Sequence, residues 1–121
     1  MKVRGVRGAI TVSGDNAEEI CDATLLLLNT MIQENQIASD DLASVFFSMT
    51  PDLHSAFPAK YARDIKGWED VPLFCAQELE INDALEKCIR VLMHWNTEKA
   101  AKDVQHTYLR EAVKLRPDLS V

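Results

Sequence analysis

Apolar positions along the chain follow two periods, and the change from one to the other marks out the elements. Val3, Val6, Ile10 and Val12, with Thr11, make a β-rich opening over residues 2–12. Gly5 and Gly8 interrupt it, as glycines do where a strand bends or another backbone comes close. Strict alternation puts Arg7 on the face opposite Val6, Ile10 and Val12, where it meets either a cleft or solvent. Ser13 to Asp15 then turn the chain, and Asn16-Ala17-Glu18-Glu19 has the form of a capping box. Asn16 is expected to accept from the helix backbone and Glu19 to reach back. The helix runs to about Asn35, with Ile20, Ala23, Leu27 and Met31, flanked by Thr24 and Leu28, as its core stripe. Cys21 reads as a small helix residue.

Beyond the helix the period returns to two. Ser39-Asp40-Asp41 caps a short turn, and residues 43–50 read as a second strand, apolar on both faces and so interior to a sheet. Pro51 ends it. Residues 51–57 form a surface loop, and Pro58 suits the first position of a helix carrying Lys60, Tyr61, Arg63 and Asp64. Phe57 has no periodic apolar neighbours, so it is either a lid residue or a loop anchor in its own core. Gly67-Trp68-Glu69-Asp70 closes that helix, residues 71–79 are a third strand, and residues 80–85 turn into a fourth over 86–95. Residues 94–103 carry little pattern, with Thr97 to Ala101 either a polar helical turn or a loop. Residues 104–109 are a last short strand, and residues 110–115 a helical turn before Arg116-Pro117. Two or three helices alternating with four or five strands predict an α/β domain with one layer of each.

Composition changes this picture little. At 121 residues, 47% apolar and 26% charged, the chain is expected to form a single globular domain over residues 1–121. A domain of this size often gains further burial between subunits, and an oligomer is expected. The net charge of -6 argues against a nucleic-acid or anionic-membrane surface. Cys21, Cys75 and Cys88 are three, without a CxxC pair or a histidine at ligand spacing, which supports neither a disulfide framework nor a metal site. A reduced, cytoplasmic setting fits best. The longest aliphatic run, Leu25 to Leu28, is far too short for a membrane span or a signal core.

Charge placement is more informative. Arg90 lies in Cys88-Ile89-Arg90-Val91-Leu92-Met93, a strand-like run apolar on both sides of it. A buried, unpaired guanidinium is costly, so Arg90 needs a fixed anionic partner or a cleft that receives one. No phosphate-cradling loop, dinucleotide fingerprint, HExxH or GxSxG is present. His54, His94 and His106 have no paired acid nearby in sequence and read as surface or capped histidines. What remains is Arg7, Arg90, Lys60, Arg63 and Arg116 set against Glu78 and Cys75. Excess arginine with one carboxylate and no nucleophile–base pair fits a small dianion held by forked guanidinium contacts. Strict alternation, however, puts Cys75 and Glu78 on opposite faces. Both join one site only at an irregularity or at a strand end.

Five segments then carry a family likeness: Arg4-Gly5-Val6-Arg7-Gly8-Ala9; Thr50-Pro51-Asp52-Leu53-His54 with Phe57-Pro58-Ala59-Lys60; Cys75-Ala76-Gln77-Glu78; Lys87-Cys88-Ile89-Arg90-Val91; and Leu115-Arg116-Pro117-Asp118-Leu119. In this order and spacing the chain resembles the bacterial monofunctional chorismate mutases of the trimeric, pseudo-α/β-barrel class. The resemblance implies an α/β (α+β) single domain, with a mixed four- to five-stranded sheet and two main helices, whose sheets assemble into a trimeric barrel. It implies rearrangement of chorismate to prephenate in phenylalanine and tyrosine biosynthesis, without cofactor, metal or covalent intermediate. By resemblance, Arg90 donates to the breaking ether oxygen and a substrate carboxylate, and Glu78 and Cys75 contact the ring hydroxyl. Arg7 and Tyr108 hold the side-chain carboxylate. Backbone around Phe74, Ala76 and Gln77 makes one wall and Leu115 another. Phe57, Ala59, Lys60 and Arg63 come from the adjacent subunit, and Arg116 adds positive potential at the mouth. The rival expectations are a non-catalytic trimeric module that binds a small carboxylate, and an imine deaminase on a similar barrel.

Overall fold

The opening strand β1 (Lys2–Thr11) and the helix α1 (Ala17–Asn35) frame the computed structural model, which describes residues 1–116. Asn16 begins α1 as the pattern predicts, its Oδ1 accepting from the Glu19 N–H at 2.9 Å. The return half of the cap differs from a capping box. Glu19 accepts from the Asn16 side-chain amide at 2.6 Å and from the Ser13 hydroxyl. The Asn16 backbone N–H is instead used within the turn, donating to the Gly14 carbonyl at 3.2 Å.

After α1 come β2 (Leu42–Met49), the short helix α2 (Pro58–Ala62), β3 (Leu73–Gln77), β4 (Cys88–Thr97) and β5 (Thr107–Leu109), with a 3-10 turn over Arg110–Leu115. The strands form one mixed sheet in the order β3-β2-β4-β1-β5. β4 is antiparallel to both β1 and β2, while β3 and β5 lie parallel to their neighbours at the two edges. The expected element order holds, with changed limits. The third strand is shorter than residues 71–79: Val71 N–H closes a turn onto Trp68, and the ladder begins only where Val45 donates to the Pro72 carbonyl at 3.0 Å. The fourth starts at Cys88, because Lys87 sits at φ 50°, outside the strand region, with its N–H held by Asp52. It continues to Thr97, since Lys2 to Arg4 supply pairing partners for Thr97 to Trp95. The last strand keeps only the three residues that pair with Gly8 to Ile10. α2 stops at Ala62, with Arg63 as its cap, and Trp68 beyond it is buried.

The helix covers one face of the sheet. The predicted stripe of Ile20, Ala23, Thr24, Leu27, Leu28 and Met31 is buried throughout and packs on Val6, Ile10, Val45, Phe47, Ile89, Val91 and Met93. Gly8 belongs to this contact: a Cβ there would collide with the Met31 sulfur, so the helix presses against bare backbone. No element among the described residues covers the opposite face over β2. Phe46, on the interior strand β2, remains 45% exposed there. That strand is interior by position but has only one covered face.

Candidate active site

The uncovered face carries the chemistry. Ala9 pairs with Arg90 and Arg7 with Leu92 across β1 and β4, Ser48 pairs with Arg90 across β2, and Ser48 with Ala76 across β3. One parity of each strand therefore brings Arg7, Ser48, Ala76 and Arg90 to one surface. With Phe46, Phe74, Tyr108 and Leu115 they line a cleft of about 440 Å³, a size suited to a small ligand. Arg7 has its guanidinium carbon 6.0 Å from the centre of the Tyr108 ring. The Tyr108 hydroxyl is buried and has no hydrogen-bond partner among the described residues.

Arg90 has its partner. Its Nε lies 3.0 Å from Glu78 Oε2. The Nε is sealed from solvent, and its N–H is not aligned on the carboxylate as a hydrogen bond, so the contact is an ion pair whose donor is not fully used. Glu78 is the first residue past β3, its N–H donating to the Met49 carbonyl at 2.9 Å. It keeps the parity of Phe74 and Ala76 and so reaches the open face. Ser48 donates to the same Glu78 Oε2 at 2.8 Å. Ser48 went unnoticed in the sequence, where a serine in an apolar strand carries no signal; only its cross-strand pairing with Arg90 identifies it.

Cys75 does not join this cleft. Its partner in the ladder is Phe47, which faces the helix, and its side chain packs toward the same core. Alternation runs unbroken through β3, so the Cys75 and Glu78 side chains part to opposite faces of the sheet, as strict alternation requires. Cys75 lines a second hollow of about 510 Å³ with Gln77, His54, Phe57, Lys60 and Tyr61. Phe57 is 69% exposed there, which removes the reading of a loop anchor in its own core. Ala59 is buried in the main core, and Arg63 is exposed and borders neither hollow. Arg116 also borders neither hollow, and Pro117, Asp118 and Leu119 of the last motif lie outside the described residues. Ala76, on the edge strand, borders both hollows.

The remaining titratable groups support this assembly. Burial pushes the Cys88 thiol up to about 11, against the pull of the Arg90 charge, so it packs behind the cleft as a neutral group beside Ala9 and Ala112. Burial likewise raises the Cys21 thiol, in keeping with a packing role. His106 is an exposed histidine that caps a backbone group, its Nδ1 accepting from the Arg7 N–H at 3.0 Å. Among the described residues no group of three or more His, Cys, Asp or Glu is placed to hold a metal ion, and no helix is long and apolar enough to cross a membrane.

Comparison with known proteins adds a family. The model for chorismate mutase type I matches residues 3–119. Chorismate mutase AroH of Bacillus subtilis is 46% identical over 121 residues, covering 100% of this chain and 95% of that protein. Chorismate mutase AroH of Thermus thermophilus is 52% identical over 118 residues, covering 97% of this chain and 96% of that one. A solved chorismate mutase from Clostridium thermocellum superposes with a TM-score of 0.88 at 45% identity, over 91% of this chain and 97% of that structure.

Proposed function

The chain belongs to the chorismate mutase type I family and catalyses the rearrangement of chorismate to prephenate, and we propose that it does so in the Arg90 cleft. In this intramolecular rearrangement the ether C–O bond breaks as a C–C bond forms, with no proton, electron or group handed to the protein. Holding the substrate in its folded pose and stabilising charge on the departing ether oxygen are what the protein contributes. Arg90 carries this reading. Its ion pair to Glu78 at Nε fixes the guanidinium, and the 40% exposed side chain borders the cleft with its terminal N–H groups left to engage developing negative charge on the ether oxygen. Glu78 then orients the substrate's ring hydroxyl, and Arg7 with Tyr108 takes the side-chain carboxylate.

The other half of the site comes from a neighbouring subunit in this reading. The Phe57–Lys60 segment and Cys75 line a hollow on the far side of β3, suited to closing over another chain's Arg90 cleft. A trimer in which each cleft is completed this way accounts for the exposed Phe57 and the uncovered sheet face. The three free cysteines fit the reducing cytoplasm, where we place the enzyme.

Loss of chorismate absorbance in the ultraviolet, followed with purified protein, tests the activity and separates catalysis from mere carboxylate binding. Arg90→Lys is expected to lower kcat by about 10²- to 10³-fold, because a point charge cannot reproduce two forked donors. A folded Arg90→Lys protein with near-normal turnover would sink the role given to Arg90.

A further inference from the structure

Phe57 is exposed between a loop and a short helix whose Pro58, Ala59 and Ala62 are buried, and the loop is held firmly at its start. Asp15, in the turn before α1, is the clasp. Its Oδ1 accepts from the backbone N–H groups of His54 and Ser55, both at 3.0 Å, and its Oδ2 lies 3.1 Å from His54 Nδ1. The Ser55 hydroxyl donates to the Asp15 carbonyl at 2.9 Å, and Tyr61 adds a longer contact of 3.4 Å to the Ala17 carbonyl. Burial raises the Asp15 carboxyl, but the His54 and Ser55 hydrogen bonds outweigh it and hold the group below its ordinary range. These contacts join two loops about 40 residues apart in sequence. None of them touches the Arg90 cleft.

We propose that Asp15 is a positioning residue for substrate binding, which fixes the Phe57–Lys60 segment where it covers a neighbouring subunit's cleft. This rests on the shared-site reading above. Two adjacent N–H groups pointing at one carboxylate oxygen set the direction in which the chain leaves Ser55, and Phe57 follows two residues later. Without the clasp Phe57 would be held only from the side of α2, and ordering it would count against substrate affinity. The cleft itself, with Arg90, Glu78 and Arg7, would be unaltered, so the step after binding should keep its rate.

The test is steady-state kinetics on Asp15→Ala, Asp15→Asn, Phe57→Ala and the Asp15→Ala, Phe57→Ala double variant, with thermal melting alongside. Asp15→Ala should raise KM by about tenfold with kcat within about twofold, the pattern of lost uniform binding. Asp15→Asn keeps an acceptor for both N–H groups and should return KM close to wild type. If Asp15 acts through Phe57, the double variant should have a KM no higher than the larger of the two single variants. Multiplying effects would overturn the inference, as would an Asp15→Ala protein whose melting temperature falls while KM stays put. Should Phe57→Ala raise KM and Asp15→Ala not, the inference fails and the shared site stands. An unchanged KM in Phe57→Ala would remove the shared-site reading of that segment, and this inference with it.

Discussion

Among the described residues, two contacts of the Glu78 carboxylate fall on one oxygen: Arg90 at 3.0 Å and the Ser48 hydroxyl at 2.8 Å meet at Oε2. A second donor on the same atom holds that oxygen in place between Arg90 and Ser48. Ser48→Ala should therefore loosen Glu78 and let Arg90 turn its Nε–H fully onto it. We expect kcat to fall by about tenfold, since misplacement of a positioning group by about 1 Å is enough for losses of that size or greater. Ser48→Thr retains the hydroxyl and should remain near wild type. Equal kcat values for folded Ser48→Ala and wild type would mean that Arg90 alone orients Glu78. Arg90 was legible in the sequence, because a charge inside an apolar strand has few bland explanations, whereas alternation left Arg7 between a cleft and solvent. Ser48 was not: its meaning depends on Glu78, 30 residues away, and a strand serine otherwise looks ordinary. Tyr108 entered through family likeness alone. Cys75 follows plain alternation, its side chain on the helix face while Glu78 reaches the cleft.

At the scale of elements, the long helix was readable almost to its ends because its 3.6-residue stripe is unbroken and Asn16 marks its start. The edges of the sheet were less so. Which residues of an edge strand pair depends on a neighbour distant in sequence, and β3 and β5 each keep only the stretch their neighbour can match. Where β5 gives out, a side chain takes over: Gly8 pairs with Thr107, and one residue earlier the Arg7 N–H donates to His106 Nδ1 at 3.0 Å. An accepting Nδ1 requires the neutral ring. Burial, with the Arg7 charge adding to it, lowers the His106 pKa below its ordinary 6.5. The unfolded chain therefore takes up this proton at a higher pH than the folded one, and stability rises with pH across the interval between the two values. The contribution is complete above the unfolded value and is lost as pH falls through the lower folded one. His106→Asn places an amide oxygen where Nδ1 accepts and does not titrate. Its urea midpoint should fall less than wild type's between pH 7 and about 5. Parallel decline of the two proteins would show that the ring's protonation does not govern this junction.

The whole molecule presents two hollows that meet at Ala76 on the β3 edge. The Arg90 cleft opens on the uncovered sheet face, where Phe46 packs edge-on to His94 and tilted against Phe74, all partly open to solvent. The Phe57 hollow lies across the β3 edge, on the side of α2. In the proposed trimer, Phe57 serves the Arg90 cleft of another chain. A second chain offering its hollow to the first one's cleft, repeated around a three-fold axis, closes without leaving a free half-site. That arrangement has a consequence no single-chain site shares. A Phe57→Ala, Arg63→Ala protein keeps an intact Arg90 half, and an Arg90→Ala protein keeps an intact Phe57 half. Each alone has only damaged sites. If subunits of the two are exchanged in equal amounts and reassociate at random, about one site in four draws both intact halves from different chains. Activity of the mixture should then rise toward about a quarter of the wild-type value per site, and with the time course of exchange rather than at once. Mass spectrometry of intact assemblies reports the exchange independently. Mixed assemblies that show only the average of the two parents would mean that each cleft works with its own chain's residues, and the Phe57 segment would need another role.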